Sequence, residues 1–461
     1  MKKSNEKRVY YLELVFKIGF LLYSLLSFNS LCYGKSIISI ALWPTALLGA
    51  VVLLLRLIQW KEYIVMPGIL LLVLFIISYI ISALVNIDYG YKSGLIKLVF
   101  LLFYFFIFFT RKKGDSITDI KKETYILGMI LQVYMFICVM ISFIFLIFNY
   151  AKVETVENGW DIGIGFLWGR LWGVFTEPNY ASVCACVVIV LASYFHRNSR
   201  NKYLRVFFVI NSIMQVFYIA FTDSRTGQVT LGVVLAILIF NHFNYLRLYK
   251  VGKKKIEMYM ILIFMVGAFA FGVYIPKVIT TCYNQIASSL GREASEVSRG
   301  YDLSEDPTNR RFDIWKSGLE VFSTTPLVGT SYTNILPYTL DNCKGTYLVN
   351  NSAEKNFSSI HNEVLNILVG QGILGIFILL AFIGYVIVKY IKYYFKVGIK
   401  EAELNNVFVS TCVAAVAGAM FLTGMFYSNS PVAVLFWAFL GGFLKNIQNE
   451  KANSNFNLEA E

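Results

Sequence analysis

The sequence predicts an all-α polytopic membrane protein of about twelve transmembrane helices, with one large extracytoplasmic loop between spans nine and ten. Of 461 residues, 57% are hydrophobic and 15% charged. A soluble domain carries about 25% charged residues, so too little polar material remains here to cover a globule. The apolar residues fall in runs close to the roughly 20 residues that a helix needs to cross a bilayer core. Lys and Arg gather in short clusters between alternate runs, as cytoplasmic connectors do. A single long polar segment, Lys277 to Gln371, interrupts the series.

Taken in order, the runs are Tyr11–Leu31, Ile37–Leu55, Tyr63–Val85, Gly94–Phe109, Tyr125–Phe148, Asn179–Phe195, Leu204–Phe221, Thr226–Phe243, Glu257–Pro276, Glu363–Val388, Asn405–Tyr427 and Pro431–Phe443. The first is longer than a signal-peptide core, and no small-residue cleavage site follows, so it is expected to stay as span one. Lys2, Lys3, Lys7 and Arg8 precede it. Basic clusters then follow spans two (Arg56, Lys61), four (Arg111 to Lys113), six (Arg197 to Arg205), eight (Arg247 to Lys255) and ten (Lys389 to Lys400) without a break in phase. Both termini are therefore expected in the cytoplasm and Lys277–Ile360 outside, in a multi-pass protein of the cytoplasmic membrane. The expected divisions are 1–276 (spans one to nine), 277–361 (the large loop, with amphipathic helices), 362–445 (spans ten to twelve) and 446–461 (a polar, frayed cytoplasmic tail).

The net charge of +13 is accounted for by these connectors. The basic residues form no single patch, which excludes nucleic acid as a partner. Of seven cysteines, five lie in apolar runs and read as packing residues. Cys282 and Cys343 fall in the polar segment, where a disulfide and two free thiols are both open. No Cys/His spacing suggests a metal site, no P-loop or Gly-x-Ser-x-Gly elbow occurs, and the loop acids are dispersed. Neither metal nor cofactor is expected.

Even-numbered spans would point their N-termini outward, and helix N-termini bind anions. Span six opens with Phe175-Thr-Glu-Pro-Asn179, with Pro178 suited to a first turn. Span eight opens with Thr222-Asp-Ser-Arg-Thr-Gly227, with Asp223 or Ser224 as cap. Span ten opens with Ser359-Ile-His-Asn-Glu363, with Ser358 or Ser359 as cap. Arg225 stands at the membrane edge, where an unpaired charge is costly, and Arg310 and Arg311 precede an amphipathic run. Arginine suits bidentate contact with phosphate oxygens. For Arg170 and Arg310 a solvated or lipid-headgroup contact is the plainer reading. The stripe Phe312, Trp315, Leu319, Phe322 reads as packing against the bundle. Of three histidines, His196 and His242 lie beside basic clusters. His361 alone is placed outside, in a first helical turn that disfavours imidazolium, and so can accept a proton. Glu363 would partly oppose that. Ionisable residues within spans are few, and Lys17 is placed near an interface.

The order Arg170-Leu-Trp-Gly-Val-Phe-Thr-Glu-Pro-Asn179, Ser224-Arg-Thr-Gly227, Asn309-Arg-Arg-Phe-Asp-Ile-Trp315, Pro326-Leu-Val-Gly329, His361-Asn362 and Gly370-Gln-Gly-Ile-Leu-Gly375 resembles the O-antigen ligase/polymerase family. The resemblance implies metal-independent glycosyl transfer outside the membrane from a glycan on undecaprenyl diphosphate. It maps the diphosphate-holding arginines to Arg225 and Arg311, with Arg310 less securely placed, and the loop histidine to His361. Arg170, Glu177, Asn179, Arg310 and Asn362 are expected to bind substrate. Residues 291–307, acidic and rich in Ser, do not fit the family pattern and are candidates for setting sugar specificity. The expected function is joining of lipid-linked repeat units for capsule, exopolysaccharide or O-antigen synthesis, with membrane lipid, a chain-length regulator and a flippase as partners. A ligase that moves a finished glycan is the close alternative. A transporter or flippase is the more distant one, since carriers place ionisable residues in mid-membrane.

Overall fold

A computed structural model describes residues 2–155, 161–249, 256–292, 296–298, 310–351, 356–394 and 402–458. Its helices are α1 (Lys2–Ser27), α2 (Ser36–Ile58), the single turn α3 (Trp60–Tyr63), α4 (Ile69–Val85), α5 (Lys92–Phe103), α6 (Ile117–Ile147), α7 (Pro178–Asn198), α8 (Lys202–Phe221), α9 (Arg225–Tyr249), α10 (Ile256–Ser289), α11 (Arg311–Thr324), α12 (Ile335–Asn342), α13 (Glu363–Tyr394), α14 (Ala402–Ala419) and α15 (Pro431–Leu458). Eleven are long and apolar enough to cross a membrane, counting α5 with the π-helical turn Tyr104–Phe109 that continues it. The remaining apolar run of the sequence is α4, a helix of 17 residues. The chain is an all-α, multi-pass membrane protein.

Helix α15 runs through the middle. Trp437 is fully buried, donates its indole N–H to the Met425 carbonyl at 2.7 Å, and packs edge-on against Phe105 and Phe426. Gly441 lets α15 lie on the π turn: a Cβ there would come within 2.0 Å of the Phe109 carbonyl oxygen. On the periphery, α2 exposes Trp43, Leu47 and Leu57, and α10 exposes Ile263 and Val266, as helices facing lipid tails do. Helix α10 continues past Pro276 to Ser289, and α15 continues to Leu458, so the polar tail begins as helix.

One element has no counterpart in the sequence reading. Between α6 and α7 lies an antiparallel sheet of β1 (Ala151–Thr155), β2 (Asp161–Leu167) and β3 (Arg170–Gly173), in the order β1-β2-β3. Ile162, Ile164 and Phe166 alternate with less bulky positions and are buried, a period of two residues that marks a half-buried strand. Trp168 (φ 51) and Gly169 (φ 67) form the two-residue turn, with both residues left-handed as a tight hairpin requires.

The large loop carries its own small core of Ile314, Val321, Ile335, Leu348, Ile360 and Val369. The buried face of α11 is Ile314, Ser317, Gly318 and Val321, while Phe312 and Leu319 are exposed. The expected packing stripe is thus rotated. The cause is Gly318, which admits Ile360 where any Cβ would meet it at 3.0 Å. Beyond α11, the chain docks backbone to backbone on α13. That helix breaks at Gly372 (φ 65, ψ −162). The freed N–H of Ile373 donates to the Pro326 carbonyl at 2.8 Å, that of Leu374 to Leu327 at 3.3 Å, and Thr330 N–H to Val369 at 2.9 Å. A Cβ on Gly372 would strike the Leu327 carbonyl oxygen at 2.4 Å. The motifs Pro326–Gly329 and Gly370–Gly375 are therefore two halves of one joint. Asn86 and Ser82 of the α4 end brace it through the Gly329 and Gly370 carbonyls, at 2.9 and 2.7 Å.

At the opposite end of the bundle the charges are paired and buried. Arg56 donates to Glu13 at 2.9 and 2.6 Å, and Tyr63 adds a hydrogen bond of 2.7 Å to the same carboxylate. Glu123 accepts from Lys17 at 3.0 Å and from both Arg111 terminal nitrogens at 2.5 and 2.8 Å. Lys17 is only 2% exposed, so it is buried among the helices at the level of Arg111 and Glu123. All seven cysteines are free thiols, Cys282 and Cys343 included.

Candidate functional site

The end of the bundle that bears the large loop brings together Arg225, Arg311 and His361. Ser224, rather than Asp223, caps α9. Its hydroxyl accepts from Gly227 N–H at 3.1 Å and its carbonyl from Gln228 N–H at 2.9 Å. This fixes Arg225 in the first turn, half-buried, with no hydrogen bond or ion pair among the described residues. Arg311, the first residue of α11, donates from Nη2 to the Thr226 hydroxyl at 3.3 Å, and its guanidinium lies 5.4 Å from the Phe421 ring centre. Arg311 thus reaches the helix end that Arg225 begins.

His361 does not stand in a first helical turn. It precedes the cap, with φ 52, and donates its backbone N–H to the Ser359 hydroxyl at 3.2 Å. The cap of α13 is Asn362, not Ser358 or Ser359. Asn362 Oδ1 accepts from Leu365 N–H at 3.1 Å, its carbonyl accepts from Asn366 N–H at 2.9 Å, and its Nδ2 donates to Met420 at 2.9 Å. Ser359 is occupied instead in holding His361. Burial, and secondarily the charge of Arg311, keep the His361 imidazole below its ordinary pKa. It is therefore neutral at neutral pH and able to accept a proton. The carboxylate of Glu363 is buried and accepts from Gly424 N–H at 2.8 Å.

A second group lies at the neighbouring corner. Arg170 on β3 is buried, with Nε donating to the Thr222 carbonyl at 2.9 Å and Nη2 to Asn179 Oδ1 at 3.1 Å. Asn179 in turn donates to Glu177 Oε1, and Glu177 Oε2 caps α7 by accepting from Tyr180 N–H at 2.8 Å. Pro178 takes the first turn. Arg170 thereby ties the sheet to both α7 and α8. Arg310 sits apart, about half-exposed, 3.7 Å from Asp313.

The two groups are joined by a residue the sequence reading passed over. Thr423 N–H donates to the Tyr180 hydroxyl at 3.0 Å, and the Thr423 hydroxyl lies 3.3 Å from that of Ser359. The expected span Asn405–Tyr427 concealed it. Helix α14 ends at Ala419, and residues 420–430 form an irregular connector whose apolar Met420, Phe421, Leu422, Met425 and Phe426 read as membrane helix. Its polar run Ser428-Asn429-Ser430, following Gly424, was the available signal. Residues 291–307 lie mostly outside the described residues, and among the described residues no group of three His, Cys, Asp or Glu side chains is placed to hold a metal ion.

No curated protein matches the chain. Residues 210–380 match the family model described as O-Antigen ligase. The matched stretch runs from α8 into α13 and includes Arg225, Arg311 and His361, while Arg170, Glu177 and Asn179 lie ahead of it. Through this segment the chain resembles the O-antigen ligase/polymerase family.

Proposed function

We propose that the protein is a polysaccharide polymerase that joins oligosaccharide repeat units carried on undecaprenyl diphosphate, at the outer face of the cytoplasmic membrane. The observation that carries this reading is the meeting of Arg225, Arg311 and a neutral His361 at one end of a membrane bundle. The growing chain on its lipid diphosphate is the donor and a single lipid-linked repeat is the acceptor. An acceptor hydroxyl attacks the anomeric carbon, the bond from that carbon to the diphosphate oxygen breaks, and lipid diphosphate leaves. Arg225 and Arg311 stabilise the charge that develops on the leaving group. His361 takes the proton released by the attacking hydroxyl. The lipid part of the donor stays in the bilayer, which is why the cations belong at its edge.

His361→Ala and Arg225→Ala, each expressed in a strain lacking the native protein, test the reading by electrophoresis of lipid-linked glycans. Each substitution is expected to cut transfer by about 10²–10³-fold, so that single repeats accumulate and long chains disappear. Normal chain lengths in both, with the proteins present in the membrane, would defeat it. Long chains stranded on the lipid would identify a ligase instead, and repeats held on the cytoplasmic side a flippase.

A further inference from the structure

The corner that holds Glu177 encloses a cavity of about 190 Å³. Glu177, Tyr180, Thr423, Ser428, Asn429 and Ser430 supply its polar lining, and Phe28 contributes an aromatic ring. Its polar groups alternate in character. The Glu177 carboxylate only accepts hydrogen bonds, and the hydroxyls both donate and accept. The Asn429 side chain is held at the cavity wall between Ser24 and Tyr23. Among the described residues no Lys or Arg lines the cavity, so it is not built for phosphate. The Arg311 guanidinium lies over Phe421, and the Ser359–Thr423–Tyr180 hydrogen bonds lead from the cavity back to His361.

We infer that this cavity is a subsite for one uncharged sugar ring of the acceptor glycan. Vicinal hydroxyls suit a carboxylate, an amide and several hydroxyls at once. The C–H face of a pyranose suits the Phe28 and Tyr180 rings. The arrangement separates the two substrates by chemistry: diphosphate at Arg225 and Arg311, hydroxyl-rich acceptor at Glu177 and Asn429, and His361 between them. This inference rests on the polymerase reading and adds to it where the acceptor lies.

The probe is the repeat-unit oligosaccharide released from its lipid and converted to a methyl glycoside. It has no diphosphate and can only accept. Transfer to it from lipid-linked repeats is measured with the full-length protein in lipid nanodiscs, for Asn429→Leu, which removes an amide from the cavity wall, and Ser428→Phe, which places a ring in the cavity. Both are expected to raise KM for the glycoside about tenfold, as loss of one buried hydrogen bond would, with kcat within about twofold of the parent. An unchanged KM in both variants, or a fall in kcat alone, would overturn the subsite. No transfer by the parent protein under the same conditions would overturn the polymerase reading and the subsite with it.

Discussion

The two ends of the bundle treat charge in opposite ways. At one, Glu13, Lys17, Arg56, Arg111 and Glu123 are buried and joined in charge-assisted hydrogen bonds that pin α1, α2, the π turn and α6 together. At the other, Arg225 has no hydrogen bond or ion pair among the described residues, and Arg311 reaches a threonine hydroxyl and the face of Phe421. A buried pair is a costly arrangement that is far more costly to break than to keep. Arg225 has no ion pair among the described residues and stands against that same cost; in the proposed reading the lipid diphosphate offsets it. The difference also bears on transport. The buried charges at that end are closed against one another and do not line a path.

Three substitutions bear on this contrast. The largest effect is expected from Glu123→Ala, which strands Lys17 and Arg111. Loss of about 3–5 kcal/mol of stability is expected, read as a lower unfolding temperature and less protein in the membrane, with activity per surviving molecule unchanged. A stable Glu123→Ala protein would show that the network is not structural. Next is Gln228→Glu, which puts a carboxylate one turn along α9 from Arg225. It makes the loop-bearing end resemble the other end: protein level is expected to hold or rise while chain extension falls about tenfold, as the new carboxylate competes with diphosphate. Undiminished extension would mean that Arg225 does not meet an anion. The smallest is a change in pH dependence. Burial and Arg311 hold His361 below its ordinary value, and a base must be unprotonated, so the acid limb of activity lies below the ordinary histidine range near pH ~6.5. Arg311→Gln removes a positive neighbour, favours imidazolium and moves the acid limb of the residual activity to higher pH. A limb that stays put would separate the two residues.

Hydropathy made the spans legible because length and apolar content are local properties, and each expected run contains a helix, though that of Asn405–Tyr427 stops at Ala419. What local pattern could not carry was pairing. Glu13 and Arg56 are separated by 43 positions, and Lys17 and Glu123 by 106, so nothing in the spacing shows that the charges cancel. The sheet was hidden for another reason: its alternation is short, and three residues of β2 and β3 are glycines, which weaken the signal. At the site, residue type pointed to Arg225, Arg311 and His361, but the explanation offered for a neutral His361 was a helix end. The structure replaces it with burial and Arg311. Thr423 was missed because its apolar neighbours imitate a membrane helix.

The joint at Gly372 has a consequence for how such a chain can diversify. Helix α11 takes its position from its far end, where residues 326–330 are bonded to the broken α13, and from its own buried face. Arg311 is therefore located relative to His361 by the joint together with the packing of α11 on Ile360 and its own contact with Thr226. Insertions and deletions between Arg292 and Arg310 can accumulate while the cations and the base keep their spacing. One reaction centre can then be inherited unchanged by proteins whose loops meet very different sugars.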